Sequence, residues 1–92
     1  MPQRRVVVTA ESGLHARPAG VFTRAATETG LAILVGRPGQ ELVDARSILA
    51  VMSLGITQGE EIVISSDDPG SHGALDVLVK TVTQLDQAGE LA

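Results

Sequence analysis

A histidine and an arginine lie two residues apart in the segment GLHARPA, residues 13–19, just before a proline. A helix start carries backbone N–H groups without helical partners and a partial positive charge, so it can bind an anion. Pro18 is typical of a first helical turn, where its missing N–H is not needed. If His15 enters the helix, the N–H groups of Ala16 and Arg17 point back toward its ring. The Arg17 guanidinium can then grip phosphate oxygens, and the segment predicts an anion site beside a histidine.

The residues alone leave four interpretations of His15 open: a general base, a nucleophile that carries a phosphoryl group, a metal ligand, or a helix cap. A general base needs an orienting acid, and the only acid close in sequence is Glu11. A metal site is disfavoured because the other histidine, His72, lies far along the chain and no second ligand has suitable spacing. A phosphoryl carrier needs only an exposed ring, donors for the phosphate oxygens and a flat docking surface.

The composition narrows the class of protein. Its 92 residues, 43% of them hydrophobic, predict a single domain over residues 1–92. Phe22 is the only aromatic residue, which argues against base stacking with single-stranded nucleic acid. The chain has no cysteine, and we expect neither a metal nor a cofactor. No apolar run is long enough for a signal peptide or a membrane span, so we expect a cytoplasmic protein without membrane contact.

The charge is distributed unevenly along the chain. Residues 1–59 hold six arginines against four acids, a net charge of +2, whereas residues 60–92 hold one lysine against seven acids, a net charge of −6. GLHARPA therefore lies in the basic part of a chain whose net charge is −4. This pattern argues against general nucleic-acid binding and is compatible with a local anion site or an acidic protein partner. Arg24 is either a contact for such a partner or a plain surface arginine.

Hydrophobic periodicity predicts seven elements in the order βαββαβα. The expected strands are residues 4–9, 31–35, 40–44 and 61–65, and the expected helices are residues 16–29, 47–54 and 71–85. Ser47 is a plausible cap of the second helix, and His72 is expected at the start of the third. Four strands whose helices can cover one face predict an open-faced α+β sandwich: a four-stranded antiparallel sheet with three helices on one face.

The whole chain resembles HPr, the phosphocarrier family of the bacterial phosphoenolpyruvate-dependent sugar phosphotransferase system. The match is carried by GLHARPA at 13–19 and SILAVMSLG at 47–55, with agreement in length and element order. The resemblance implies that His15 accepts a phosphoryl group on Nδ1 from enzyme I and passes it to enzyme IIA domains. It implies that the Arg17 side chain, with the backbone of Ala16 and Arg17, holds the phosphate. It also implies a monomeric carrier without catalysis of its own.

The resemblance assigns a second site to Ser47, which a dedicated serine kinase phosphorylates in some bacteria, with a transcription regulator as a further partner. The apolar residues of the helix that it heads are expected to form part of the docking surface, together with Arg24: Ile48, Leu49, Val51 and Met52. Asp44, Arg46 and Ala50 depart from the residues that the family commonly has around this serine. Regulation at Ser47 and simple helix capping therefore both remain open.

Three other functions are compatible with parts of this pattern. A paralogue in a nitrogen-regulating or dihydroxyacetone-phosphorylating branch would use the same chemistry with different acceptors. A regulatory binding module controlled at Ser47 would have no need of His15. A small hydrolase would require turnover by the isolated protein.

Overall fold

The computed structural model describes residues 1–85, so the last seven residues of the domain expected over 1–92 lie outside the described part. The element order is βαββαβα, as the sequence predicts. The strands are β1 (Gln3–Val7), β2 (Leu34–Gly36), β3 (Val43–Asp44) and β4 (Glu61–Ser65). The helices are α1 (Ala16–Glu28), α2 (Ile48–Ser53) and α3 (His72–Thr83).

The four strands form one antiparallel sheet in the order β1-β4-β2-β3. The last strand in sequence, β4, therefore lies inside the sheet between β1 and β2. Val7 lies opposite Glu61, and Gly36 lies opposite Val63, so the end of β1, the start of β4 and the end of β2 meet at one end of the sheet. The expected open-faced sandwich of a four-stranded sheet and three helices is confirmed.

The core lies between the sheet and the apolar faces of the helices. In β1 the inward Val6 is buried while Arg5 and Val7 are exposed, the alternation expected of a strand with one covered face. Helix α1 buries residues at spacings of three and four, and α3 does the same. The largest side chains with no exposed surface are Phe22, Leu14, Ile33, Ile56, Ile62, Ile64, Leu75, Leu78 and Leu85.

The two strands of the β2–β3 hairpin are shorter than expected. Strand β2 begins at Leu34 rather than 31, because the Leu31 N–H donates to the Thr29 hydroxyl, 3.1 Å away, just after α1. Strand β3 begins at Val43 rather than 40, because the Gln40 N–H bonds back to the carbonyl of Arg37 within the turn. Strand β1 is Gln3–Val7 where 4–9 was expected, whereas β4 has the expected bounds.

The helix bounds differ from expectation mainly at capping residues. Ser47 is the N-cap of α2, as expected, whereas Leu54, expected inside the second helix, is its C-cap. Thr29 is the C-cap of α1 rather than its last residue, and Gly30 follows with φ +72°, a common way to end a helix. The third helix begins at His72 and ends at Thr83, within the expected range of 71–85.

Candidate functional site

His15 is the N-cap of α1, at the helix start where the sequence places it. Its backbone is extended, with φ −131° and ψ 165°, and its ring makes no capping hydrogen bond. The residue is partly exposed. The imidazole is therefore not used to close the helix, and the capping interpretation of His15 finds no support in this geometry.

The first hydrogen bond of α1 joins the Ala19 N–H to the His15 carbonyl, over 3.4 Å. Pro18, which is buried in the first turn, has no N–H to offer. The N–H groups of Ala16 and Arg17 precede this bond and stand at the end of the helix that attracts anions. Among residues 1–85, the ion pairs use other arginines, and the Arg17 side chain is exposed.

Ala16 has a backbone conformation that the sequence does not predict. Its φ is +50°, which makes it the only non-glycine residue with positive φ in the described part of the chain. The left-handed region costs an ordinary L-residue roughly 1–2 kcal/mol, and residues held there concentrate at functional sites. No signal in the sequence could have revealed this, because alanine normally avoids that conformation.

The segment before His15 is held against the loop that follows α2. The Leu14 N–H donates to the Ile56 carbonyl over 3.1 Å, and the Leu14 side chain is buried. Gly13 has φ +70°, and a Cβ atom there would lie 2.2 Å from the Ile56 carbonyl oxygen, so no other residue fits without moving one of the two segments. The backbone carrying the histidine is therefore fixed by a contact between two loops.

Helix α2 lies beside α1. The Ile48 side chain approaches to 4.0 Å of the point where a Cβ on Gly20 would stand, one turn along α1 from the site. Ile48 is 41% exposed and Leu49 is 79% exposed, which places an apolar surface next to the helix that carries His15 and Arg17. Arg24, two turns beyond Arg17 on α1, is also exposed.

The expectation that Val51 belongs to the docking surface is wrong in this conformation. Its side chain has no exposed area and is part of the core. Met52 is half-buried and packs against that core, so it offers only part of its surface. The exposed apolar surface of α2 consists mainly of Ile48 and Leu49.

Ser47 caps α2, as expected: its hydroxyl oxygen accepts a hydrogen bond from the Ala50 N–H over 3.2 Å. Close by, Asp44 pairs with Arg46 through both the guanidinium and the backbone N–H. The Arg46 hydrogen bonds, side chain first and backbone second, lower the pKa of Asp44 from its ordinary value. The Arg46 guanidinium, next in sequence to Ser47, is thus already engaged by a carboxylate.

The other sequence candidates take no part in this arrangement. His72 starts α3 and its Nδ1 lies 3.2 Å from a nitrogen of Arg4, which also pairs with Asp76. Within residues 1–85 no group of three or more histidines, cysteines or acids is placed to hold a metal. In the same part of the chain, none of the helices has the length and hydropathy needed to cross a membrane.

The chain is similar in sequence to known phosphocarrier proteins. The family model PTS-HPr, described as the PTS HPr component phosphorylation site, matches residues 2–84. Phosphocarrier protein HPr of Streptomyces coelicolor is 48% identical over 84 residues, which cover 91% of this chain and 90% of that protein. The HPr of Pseudomonas putida is 33% identical over 90 residues, which cover 98% of this chain and 100% of that one.

Solved structures agree with the sequence comparisons. The crystal structure of HPr-C-His from Thermoanaerobacter tengcongensis matches with a TM-score of 0.85 and 30% identity, covering 95% of this chain and 97% of that one. The chain belongs to the HPr family of phosphocarrier proteins of the phosphotransferase system. The curated relatives in this family are named phosphocarrier proteins.

Proposed function

We propose that residues 1–92 act as one domain that accepts a phosphoryl group from phosphorylated enzyme I on His15 and passes it to an enzyme IIA domain. The observation that carries the proposal is a partly exposed imidazole at the start of α1 that makes no capping bond, close in sequence to an exposed arginine. Membership of the HPr family supports the same role.

The chemistry asks for a neutral imidazole. The Nδ1 lone pair of His15 attacks the phosphorus of the donor, forming an N–P bond as the bond between phosphorus and the donor breaks. The electron pair of the broken bond stays with the donor. Nε2 keeps its proton, and the two ring nitrogens share the positive charge. A nucleophile of the later partner then attacks the phosphorus, and the electron pair of the breaking N–P bond returns to Nδ1.

The transferred group carries negative charge on its oxygens throughout. We expect Arg17 to neutralise that charge and the N–H groups at the start of α1 to serve as hydrogen-bond donors. Because these donors lie on a surface rather than in a deep cavity, they hold the group without enclosing it. A carrier needs this balance, since the same group must leave again.

The docking surface that we propose combines the apolar residues Ile48 and Leu49 of α2 with the basic residues Arg17 and Arg24 of α1. The arginines would steer an acidic partner, and the apolar residues would be buried on contact. Such a surface suits a monomer that meets several partners in turn.

The test is incubation with phosphoenolpyruvate and enzyme I, followed by intact-mass measurement. We expect the mass to increase by that of one phosphoryl group, which should be labile in acid and stable in base. His15→Ala should abolish the increase, and the matched control His72→Ala should leave it unchanged. Modification that persists in His15→Ala would overturn the proposal.

A further inference from the structure

An arginine and a glutamate form a clamp on the loop between α2 and β4. The guanidinium of Arg37, in the turn after β2, donates from Nε and Nη2 to the two carboxylate oxygens of Glu60, over 2.8 and 3.1 Å. It also donates to the carbonyls of Leu54 and Gly55, over 2.8 and 3.2 Å. Four hydrogen bonds from one planar group hold both ends of the loop, which we call the Arg37–Glu60 clamp.

Glu60 extends the clamp into the loop itself. Its Oε2 accepts from the N–H and the hydroxyl of Thr57, over 2.7 and 3.1 Å. The Arg37 hydrogen bond, followed by the Thr57 N–H, lowers the pKa of Glu60 to about 2, so the carboxylate stays charged in acid that would protonate an ordinary glutamate. The Arg37 and Glu60 side chains are each 30% exposed, less than those of the neighbouring pair Arg5 (57%) and Glu61 (46%).

The clamped loop is the one that holds the backbone before His15. The Ile56 carbonyl, one residue before Thr57, accepts the Leu14 N–H and lies against Gly13. Further along, the Gln58 amide donates to the Thr9 carbonyl and the Gly59 N–H donates to the Val8 carbonyl. These hydrogen bonds all join the loop to residues 8–14, the segment between β1 and His15.

We propose that the Arg37–Glu60 clamp is a positioning device for phosphoryl transfer: it fixes residues 54–60, and through them the backbone of Leu14 that sets the place of His15. The inference rests on the proposed transfer at His15. The hydrogen bonds of Arg37 end on Glu60 and on the carbonyls of Leu54 and Gly55, so it acts through the loop and is a positioning residue, not a catalytic one.

The consequence for kinetics follows from where the clamp is attached. The docking residues Ile48 and Leu49 lie in the first turn of α2, whereas Arg37 binds carbonyls beyond its last turn. Loss of the clamp should therefore misplace the nucleophile while leaving the encounter with enzyme I largely intact. The rate within the complex should fall, and the KM for this protein should stay nearly constant.

The experiment compares the clamp with the neighbouring ion pair. Arg37→Met removes all four hydrogen bonds of the clamp, and Glu60→Gln removes its ion pair, each with little change in side-chain length. Arg5→Met and Glu61→Gln make the same changes in the Arg5–Glu61 pair, which joins β1 to β4. Two quantities are measured well below the melting temperature: amide hydrogen exchange at Leu14, and the steady-state kinetics of phosphorylation by enzyme I.

We expect exchange at Leu14 to speed up by about fivefold in both clamp variants, while Leu75 in α3 stays unchanged. We expect kcat to fall by about tenfold, with KM within about twofold of the wild type. Arg37→Lys keeps the charge but not the planar set of donors, so it should restore part of the rate. The two control variants should match the wild type in both measurements.

The possible outcomes distinguish a failure of the clamp proposal from a failure of the proposed phosphoryl transfer. Clamp variants with a lower melting temperature but unchanged Leu14 exchange and kcat would reduce the pair to a structural role and overturn the inference. Equal effects in the Arg5–Glu61 controls would do the same. A wild-type protein that takes no phosphoryl group at all would overturn the proposed function, and Leu14 exchange would still decide whether the clamp holds the loop.

Discussion

The first two helices begin in opposite ways. At the start of α2, the Ser47 hydroxyl accepts the Ala50 N–H and closes the helix end with its own chain. At the start of α1, His15 occupies the same capping position with no side-chain bond, and the next residue has positive φ. The two helices lie side by side, so the contrast comes from the residues at each helix start.

The difference shows how one type of helix end can serve stability or ligand binding. A cap that satisfies the first N–H groups typically contributes about 1 kcal/mol of stability. The start of α1 forgoes that contribution, and its N–H groups remain at the surface beside an exposed arginine. We interpret α2 as the helix whose start is optimised for folding, and α1 as the one whose start is kept for a phosphoryl group.

The largest expected effect concerns the start of α1, which has no side-chain cap. Arg17→Ala should slow phosphorylation of His15 by about tenfold or more, because charge-assisted hydrogen bonds are worth roughly 1.5–3 kcal/mol. Its free energy of unfolding should stay within about 0.5 kcal/mol of the wild type, since the side chain is exposed. Stopped-flow transfer and thermal unfolding measure the two quantities. Arg5→Ala, at an exposed arginine on β1 outside the proposed docking surface, is the matched control, and an equal slowing there would point to general electrostatic attraction instead.

Substitutions of Ser47, which caps the start of α2, should have effects of intermediate size. Ser47→Ala should lower the free energy of unfolding by about 1 kcal/mol and leave transfer nearly normal, because it removes only the cap. Ser47→Asp should keep or slightly raise the melting temperature, since aspartate caps equally well. Its charge beside Ile48 should raise the KM for phosphorylation by enzyme I, because docking must desolvate that charge.

Unchanged kinetics in Ser47→Asp would remove the start of α2 from the interface and leave Ser47 as a cap. The start of α1 would then be a functional site, and the start of α2 a purely structural element. A serine kinase acting on Ser47 would have to work against the carboxylate of Asp44, which already engages Arg46.

The smallest expected effect concerns the backbone at the start of α1. Ala16→Gly relieves the cost of a positive φ and adds entropy to the unfolded chain, so the net gain in stability should be about 0.5 kcal/mol. Ala25→Gly, inside the same helix, should instead lose about 1 kcal/mol. Chemical denaturation of both variants is sufficient. A similar loss at both positions would mean that Ala16 pays no conformational cost.

The sequence predicts the element order and the place of His15 because both depend on local signals. Gly13, Pro18 and Gly30 mark the ends of the first loop and helix, and the apolar spacing marks the buried faces. The burial of Val51 escaped prediction because Ile48, three residues earlier, lies only about 60° away around the helix axis. In a helix of six residues, that small rotation separates exposed surface from core.

The features that could not be predicted depend on contacts between distant segments. Arg37 and Glu60 are separated by more than twenty residues, and they meet because the end of β2 and the start of β4 share one end of the sheet. No periodicity or motif marks either residue. The positive φ of Ala16 could not be predicted either, because alanine rarely adopts this conformation unless its surroundings impose it.

The position of β4 in the sheet also determines when the protein can fold. This strand is the last of the four to be synthesised, yet it is the one that joins β1 to the β2–β3 hairpin. The hairpin closes locally, whereas β1 must wait for a partner more than fifty residues downstream. On the ribosome, Val6 and its neighbours therefore stay unpaired until residue 65 has emerged. Residues 8–14, which hydrogen-bond to residues 56–60, take their shape only when β4 has paired.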